Sequence, residues 1–319
     1  MTDISVHIVT HNSASTIQMC LDSLQRQGFK DYQVQVFDNA SSDETCRIIT
    51  AANIPLIESR ENLGYALAHN RLIDQTKSTY VLTLNPDVYL LPDFLDTMKN
   101  TLDKNQRIGS AAGQLRRVES LGDPPRVMDS AGLAMRRNRR QQLLGDSTAI
   151  QAYTTPASPI FGPDGAAAFY RRAMLEDIRV MGEVFDSDFF LHKEDIDVCW
   201  RAQLRGWQSV YNPDAVAHHI RTFRIGKRAN VPSDLRCLAV RNRYLLMIKN
   251  EIPAHFMRDL PRILAYDVGI LLYICLRERT SLAAYSTLWS LRKRMFKKRQ
   301  IVQSQKLVQW QEMAQWFRS

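Results

Sequence analysis

Long apolar runs are missing from this 319-residue chain. No stretch reaches the roughly 18 apolar residues of a membrane-spanning helix, so none is expected. The opening MTDISVHIVT has no basic segment ahead of an apolar run, so no signal peptide is expected either. Cysteine is sparse. The five residues, at 20, 46, 199, 237 and 275, form no C-x-x-C and no metal-ligand spacing, which favours a reducing compartment and structural thiols. VTHNSAST, residues 9–16, contains neither Gly nor Lys, so the Gly-rich basic phosphate loop of sugar-phosphate nucleotidyltransferases is absent there. No helix-turn-helix or zinc signature supports a nucleic-acid-binding protein, although the pI of about 9.4 raises that alternative.

What is present is an ordinary soluble composition, 45% apolar and 24% charged, sufficient for a sizeable core. The net charge of +9 is uneven. From residue 220 onward there are 20 Lys/Arg against 6 Asp/Glu, so a mildly acidic body carries a basic tail. Such a tail suits an anionic partner.

Short β-branched runs alternate with helical spacings. Ile4–Val9, Val34–Phe37, Ile54–Ile57 and Tyr80–Leu84 read as strands. Ile17, Leu21 and Leu24, a capping box at Ser41–Glu44, and Gly64–Ile73 read as helices. This alternation implies βαβ units and a mostly parallel sheet, with ligands bound beyond the strand ends. Thr10, Asp38 and Asn85-Pro86-Asp87 each fall just past such an end. Turn chemistry alone also accounts for Asp and Asn at each place.

Residues 110–160 read as containing a flexible loop, with Arg136-Arg137-Asn138-Arg139-Arg140 as a solvated run or an anion patch. Further on, Gly162 and Gly165 suit close backbone approach. Asp186, Asp188, Glu194, Asp195 and Asp197 crowd twelve positions. They either cap a helix or serve a cation, a donor or a substrate proton. His218 and His219 follow a short strand at Gln208–Tyr211 and are candidate metal ligands opposite Asp87.

In order and spacing, these residues resemble inverting family-2 glycosyltransferases of the GT-A fold, especially the bacterial cell-surface polysaccharide branch that includes many rhamnosyltransferases. The resemblance covers about residues 4–220. It rests on Val9-Thr10-His11-Asn12, Asp38–Asp43, Asn62-Leu63-Gly64-Tyr65-Ala66 with Asn70, Leu84-Asn85-Pro86-Asp87, and Glu194–Arg201 with Gly206-Trp207. It implies an α/β GT-A catalytic unit over 1–225 and a basic helical extension over 226–319. It also implies a nucleotide-sugar donor, dTDP-rhamnose before UDP-hexose, and a glycan or polyprenyl-linked acceptor in polysaccharide or lipopolysaccharide synthesis. By position, Asp195 is the catalytic base and Glu194 its alternative, with Asp164 or Asp188 next. Thr10, Asn12, Asp38, Asn62, Asn70 and Asn85 would serve the nucleotide. Asp87 and His219, with His218 as fallback, would hold Mg²⁺ or Mn²⁺. Asn85 stands where the family usually has Asp, which implies weaker metal binding.

Beyond 220 the pattern is helical. DVGILLYICL, 267–276, followed by RKRMFKKR, 292–299, reads either as a helix lying on anionic lipid or as a packed helical hairpin with a solvated basic face. Trp289, Trp310, Trp316 and Phe317 read as interface anchors or as an oligomer contact. The expected location is cytoplasmic, peripheral on the inner membrane face, with no nucleic-acid partner and room for a homo-oligomer.

Overall fold

The computed structural model describes residues 2–120, 123–220 and 231–318. β1 (Ile4–Thr10), α1 (Ile17–Gln25), β2 (Tyr32–Asp38), α2 (Thr45–Ala51), β3 (Leu56–Glu58), α3 (Gly64–Gln75) and β4 (Tyr80–Leu84) alternate as the sequence implies. β5 (Val88–Leu90), α4 (Phe94–Asp103), β6 (Ile108–Arg117), β7 (Val127–Ser130), β8 (Leu133–Arg136), β9 (Gln141–Leu143) and β10 (Ser158–Ile160) follow. Next come β11 (Ala167–Arg171), α5 (Arg172–Asp177), α6 (Glu194–Leu204) and β12 (Gln208–His219). The last part is α7 (Ser233–Asn250), α8 (Pro253–Arg277), α9 (Ala283–Gln305), α10 (Trp310–Ala314) and β13 (Phe317–Arg318).

A ten-stranded sheet runs β10-β12-β6-β11-β4-β1-β2-β3, with β5 on β12 and β7 on β6. β1, β2, β3 and β4 are mutually parallel neighbours, as are β6 and β12. β11 runs antiparallel between β4 and β6. Every residue of β4 is buried, as a strand covered on both faces must be. The carboxyl ends of β1, β2, β4, β6 and β12 and the amino end of β11 therefore share one edge.

Several local expectations shift. β3 starts at Leu56 because Pro55 has no N–H for the ladder, although its carbonyl accepts from Val36 N at 3.0 Å. The Ser41–Glu44 capping box does not form. Asp43 instead accepts from Thr45 N (3.1 Å), Thr45 Oγ1 (2.5 Å) and Ala14 N (3.1 Å), tying α2 to the loop after β1. β12 continues to His219, its register shifting between Tyr211 and Val216, around Asn212-Pro213.

The region 110–160 is a built structure. β8 and β9 join β13 in a second, three-stranded sheet. Within it, Arg139 is buried and not solvated. Its guanidinium meets Glu251 (2.6 Å) and Asp259 (2.7 Å) and lies 4.5 Å from the centre of the Phe317 ring. Phe317 is thus core, while Trp310 and Trp316 pack partly buried against the same cluster. That cluster joins Phe161, Ile196 and Trp200 to Leu245, Met295 and Val302, so α6 shares its core with α7 and α9.

Arg139→Met leaves Glu251 and Asp259 buried opposite an apolar group. We expect a loss of about 3–5 kcal/mol, the usual effect of breaking a buried pair by removing one partner. Urea unfolding monitored by circular dichroism measures it, and a loss under 1 kcal/mol would mean the two acids find other partners.

Candidate active site

At the first strand ends, Asp38 organises the chain. Its Oδ1 accepts from Thr10 Oγ1 (2.7 Å) and Ser41 Oγ (2.5 Å), and its Oδ2 accepts from Ser41 N (2.8 Å). Asn12, with φ 51°, accepts from Ser42 N through its Oδ1 at 2.8 Å. Thr10, Asn12 and Asp38 are therefore brought together in one hydrogen-bonded network through Ser41 and Ser42, with acceptor capacity left on the carboxylate. Asn62 and Asn70 act on the backbone. Asn62 Oδ1 accepts from Gly64 N (2.9 Å). Asn70 is buried, accepts from Phe185 N (2.9 Å) and donates to Phe185 O (2.6 Å). Asn70 fastens α3 to the segment leading to α6.

Past β4, Asn85 N donates to Ala166 O at 2.9 Å, which seats the Asn85-Pro86-Asp87 turn on the start of β11. Asp87 Oδ1 is buried without a hydrogen bond and lies 3.4 Å from His219 Nε2. The other imidazole nitrogen of His219, Nδ1, is 2.8 Å from Asp129 Oδ2, and Arg117 holds Asp129 in turn at 3.0 Å. Burial acts to lower the His219 pKa, but the hydrogen bond with Asp129 and the nearby charges of Asp129 and Asp87 outweigh it and hold the pKa at about 9, so a cation would have to displace the Nε2 proton. A carboxylate behind a histidine, with a second carboxylate in front, is the arrangement that orients imidazole toward a metal. The orphaned Asp87 oxygen and the aimed Nε2 fit a divalent cation. Among the described residues no group of three or more His, Cys, Asp or Glu is placed to hold a metal ion, so the protein would supply few ligands. That suits Mg²⁺-like ions, which take most remaining ligands from phosphate and water. His218, the next residue along the strand, faces the other side and stands near the Tyr89 ring, centroids 6.0 Å apart.

The acidic stretch divides in two. Asp186 meets Lys249 (2.6 Å) and Lys298; Asp188 meets Lys298 (2.7 Å) and Arg294 (3.1 Å); Asp197 meets Lys249 (2.8 Å) and Arg201 (2.7 Å). Against the burial that would raise them, these cations hold Asp186 and Asp197 below the usual carboxylate range. Glu194 and Asp195 form the first turn of α6, and neither makes an ion pair among the described residues. Asp195 accepts from Ile196 N (2.7 Å) and Gly165 N (3.3 Å). Burial, then the charge of Asp164, raises it to about 6. Burial, then Asp195, drives Glu194 well above its ordinary value, and its Oε2 has no partner. Burial thus favours the neutral form of both carboxyls, and of Glu194 the more strongly. Gly165 links this pair to the turn after β4, because the next residue, Ala166, receives Asn85 N. Asp164 Oδ1 accepts from Ala166 N at 3.2 Å. Gly162 makes its close approach to α6 instead, since a Cβ there would lie 1.9 Å from Cys199 Sγ.

Sequence reading missed Asp129, Lys249, Lys298 and Asn242. Asp129 sat in the stretch read as loop. Lys249 and Lys298 were counted only as basic tail, though a lysine within an apolar helical stripe is itself a signal of a buried partner. Asn242 is fully buried and its Nδ2 approaches Phe189 O, Leu191 O and His192 O at 2.7–2.9 Å, directly before the acidic pair.

Comparison with known proteins identifies the family and the fold. The profile described as Glycosyl transferase family 2 matches residues 5–179. The N-acetylglucosaminyl-diphospho-decaprenol L-rhamnosyltransferase of Mycobacterium tuberculosis is 28% identical over 246 residues, covering 69% of this chain and 77% of that protein. The poly-beta-1,6-N-acetyl-D-glucosamine synthase of Staphylococcus epidermidis is 24% identical, over 67% of this chain, and the match spans only 48% of the synthase. Among solved structures, S. aureus TarS 1-349 in complex with UDP-GlcNAc is similar with a TM-score of 0.56 and 19% identity, over 95% of this chain and 91% of that one. GalNAc-T7 with UDP, GalNAc and Mn2+ gives 0.61 and 13% identity, over 77% of this chain and 48% of that one. These two likenesses concern the fold.

The raised Asp195 gives a stability signature independent of catalysis. Its folded pKa of about 6 lies above the ordinary 3.8, so folding takes up a proton between those values. The group's contribution is fully present below about pH 4 and is lost as the pH rises through about 6. Urea midpoints of the native protein, measured relative to Asp195→Asn, should fall across that window. A difference that stays flat would mean Asp195 ionises normally.

Proposed function

The chain belongs to glycosyl transferase family 2 and is a glycosyltransferase, and from that premise we propose that it inverts the anomeric centre while moving a sugar from a nucleoside diphosphate to a lipid-linked or glycan acceptor. The observation that carries this is the buried Glu194–Asp195 pair, joined through Gly165 and Ala166 to the Asn85-Pro86-Asp87 turn at the sheet edge that also holds His219. We read residues 1–225 as the catalytic unit and 226–319 as the extension that buttresses it. The name of the mycobacterial relative supports rhamnose from dTDP-rhamnose as donor and a polyprenyl-diphosphate-linked acceptor; a UDP-hexose is the second choice. An acceptor of that kind places the enzyme at the inner face of the cytoplasmic membrane, as a peripheral protein.

The chemistry follows from the protonation states. A general base must be ionised at the working pH and lie near it in pKa. Asp195, held at about 6, meets both conditions; Glu194, driven well above its ordinary value by burial and by Asp195, is the second choice. Asp195 accepts the acceptor hydroxyl's proton as that oxygen forms its bond to the anomeric carbon. The bond from that carbon to the diphosphate oxygen breaks on the opposite face, so one displacement inverts the configuration. Glu194, beside it in the first turn of α6 and with an unpartnered Oε2, orients the acceptor. Thr10, Asn12 and Asp38 shape the wall for the nucleotide base. Asp87 and His219, with Asn85 as a neutral oxygen ligand, would hold Mg²⁺ or Mn²⁺, which neutralises the leaving diphosphate when bound.

Asp195→Asn should lower kcat by about 10²–10⁴-fold, the usual worth of a general base. Affinity for the nucleoside diphosphate should stay unchanged, because Asp195 lies outside the diphosphate site. Glu194→Gln should be milder, since it acts through orientation or acceptor binding and not through proton transfer. Asp87→Ala should abolish metal-dependent binding of the diphosphate, and Asn85→Asp should tighten it. Titration calorimetry with dTDP and UDP, with and without Mn²⁺, reads binding, and product anomer analysis reads stereochemistry. Full kcat in Asp195→Asn would remove it as the base.

A further inference from the structure

α8 is 25 residues long, yet His255, Asp259, Ile263 and Ile274 are its buried residues. One narrow face meets the body. The outward face carries Met257, Leu264, Val268, Leu271, Leu272 and Leu276, each between 43% and 75% exposed. The stripe runs about 28 Å at the rise of an α-helix. Monomeric proteins seldom leave so long an apolar strip in water, so a partner covers it. α8 packs against α7 and the start of α9 on its inner face, and this outer row stays largely exposed among the described residues.

Three features decide the partner's chemistry. From Ile263 to Leu276 the charged residue is Asp267, which pairs with Arg243 at 2.8 Å and so leaves the stripe uncharged. At the corner where α8 turns into α9, Ile274, Ala284 and Val240 pack together, so the two helices share a support on α7. Beyond that corner, α9 exposes Trp289 (67%) and Phe296 (54%) among Arg292, Lys293, Arg294 and Lys297. Arg292 stacks 3.7 Å from the centre of the Trp289 ring. Protein interfaces are depleted of lysine at their centres, whereas helices that lie on bilayers combine an apolar face, Trp or Phe, and Lys/Arg. No helix among the described residues is long and apolar enough to cross a membrane, so the mode is lying on it.

We propose that the outer face of α8 enters the interfacial layer of an anionic bilayer, with the basic, tryptophan-bearing face of α9 engaging the headgroups. This rests on the lipid-linked acceptor reading for its purpose, and on α8 and α9 for its evidence. The membrane then serves as the surface along which a lipid-anchored acceptor is met.

The test is flotation of the full chain with vesicles of phosphatidylcholine alone and with added phosphatidylglycerol, at low and high salt. The native protein should float with the anionic vesicles, less at high salt. Leu272→Glu with Leu276→Glu should weaken binding by at least about a hundredfold, about tenfold per leucine kept out of the bilayer. Lys293→Gln with Lys297→Gln should weaken it by about fivefold per lysine on anionic vesicles. Both variants should keep the native melting temperature and dTDP or UDP affinity, because the altered side chains are exposed and remote from the nucleotide wall. Unchanged flotation of the leucine variant would overturn the proposal. So would a lipid-free dimer, seen by sedimentation equilibrium, that the leucine substitutions split, since a second copy would then cover the stripe. Flotation by a native protein that binds neither dTDP nor UDP would instead fault the donor reading and leave the lipid surface standing.

Discussion

Lys249 is the point on which the molecule turns. Its ammonium is fully buried and bridges Asp186 at 2.6 Å and Asp197 at 2.8 Å. A buried ammonium is tolerated only when its donors are matched. Here Asp186 also meets Lys298 of α9, and Asp197 also meets Arg201 of α6 and Asn250 of α7 (2.8 Å). Three helices and the segment before α6 are thereby bound to one set of charges. The basic helices are accordingly part of the catalytic body's construction, and only their outer faces remain to act as a basic tail.

This charge network holds a backbone that would not hold itself. Phe190, His192 and Lys193 have φ of 63°, 71° and 73°, a region unfavourable to side-chain-bearing residues. Asn242 gathers the carbonyls of this turn, Arg241 donates to Asp188 O (2.7 Å) and Phe189 O (3.0 Å), and Tyr65 N donates to Phe190 O (2.8 Å). Gly64 is required here. It has φ +76°, and a Cβ on it would meet Phe190 O at 2.5 Å. The strained turn ends where Glu194 begins, so the cost of the strain is tied to the placement of the acidic pair.

How much of this was legible follows from sequence separation. The strands, the shared edge and Thr10–Asp38 depend on local pattern, and turn chemistry marks them. The opening carboxylate at Asp87 was visible as a break between two apolar runs. Asp129 was not, because its meaning comes from His219, ninety positions away, and from a strand in a stretch rich in Arg, Gly and Pro. Arg139 looked solvated for the same reason: its partners, Glu251 and Asp259, lie on the far side of the chain. The five clustered acids were legible as a problem of charge. Their solution required knowing that Lys249 and Lys298 reach three of them.

That division explains why the pair can act at all. A lysine in direct contact with Asp195 would lower its pKa further than Lys193 now does, making it a poorer base; enough burial without relief would leave it protonated and inert. Backbone donors from Ile196 and Gly165 supply partial relief, opposed by burial and by Asp164, and the balance stands at about 6. The cations that the neighbouring aspartates absorb are therefore as consequential for Asp195 as the donors it keeps. The match to the family profile ends at residue 179, before the pair and before His219. The charges of α7 and α9 hold the pair's helix, α6, and the segment that leads into it, both beyond the part of the chain that the profile covers.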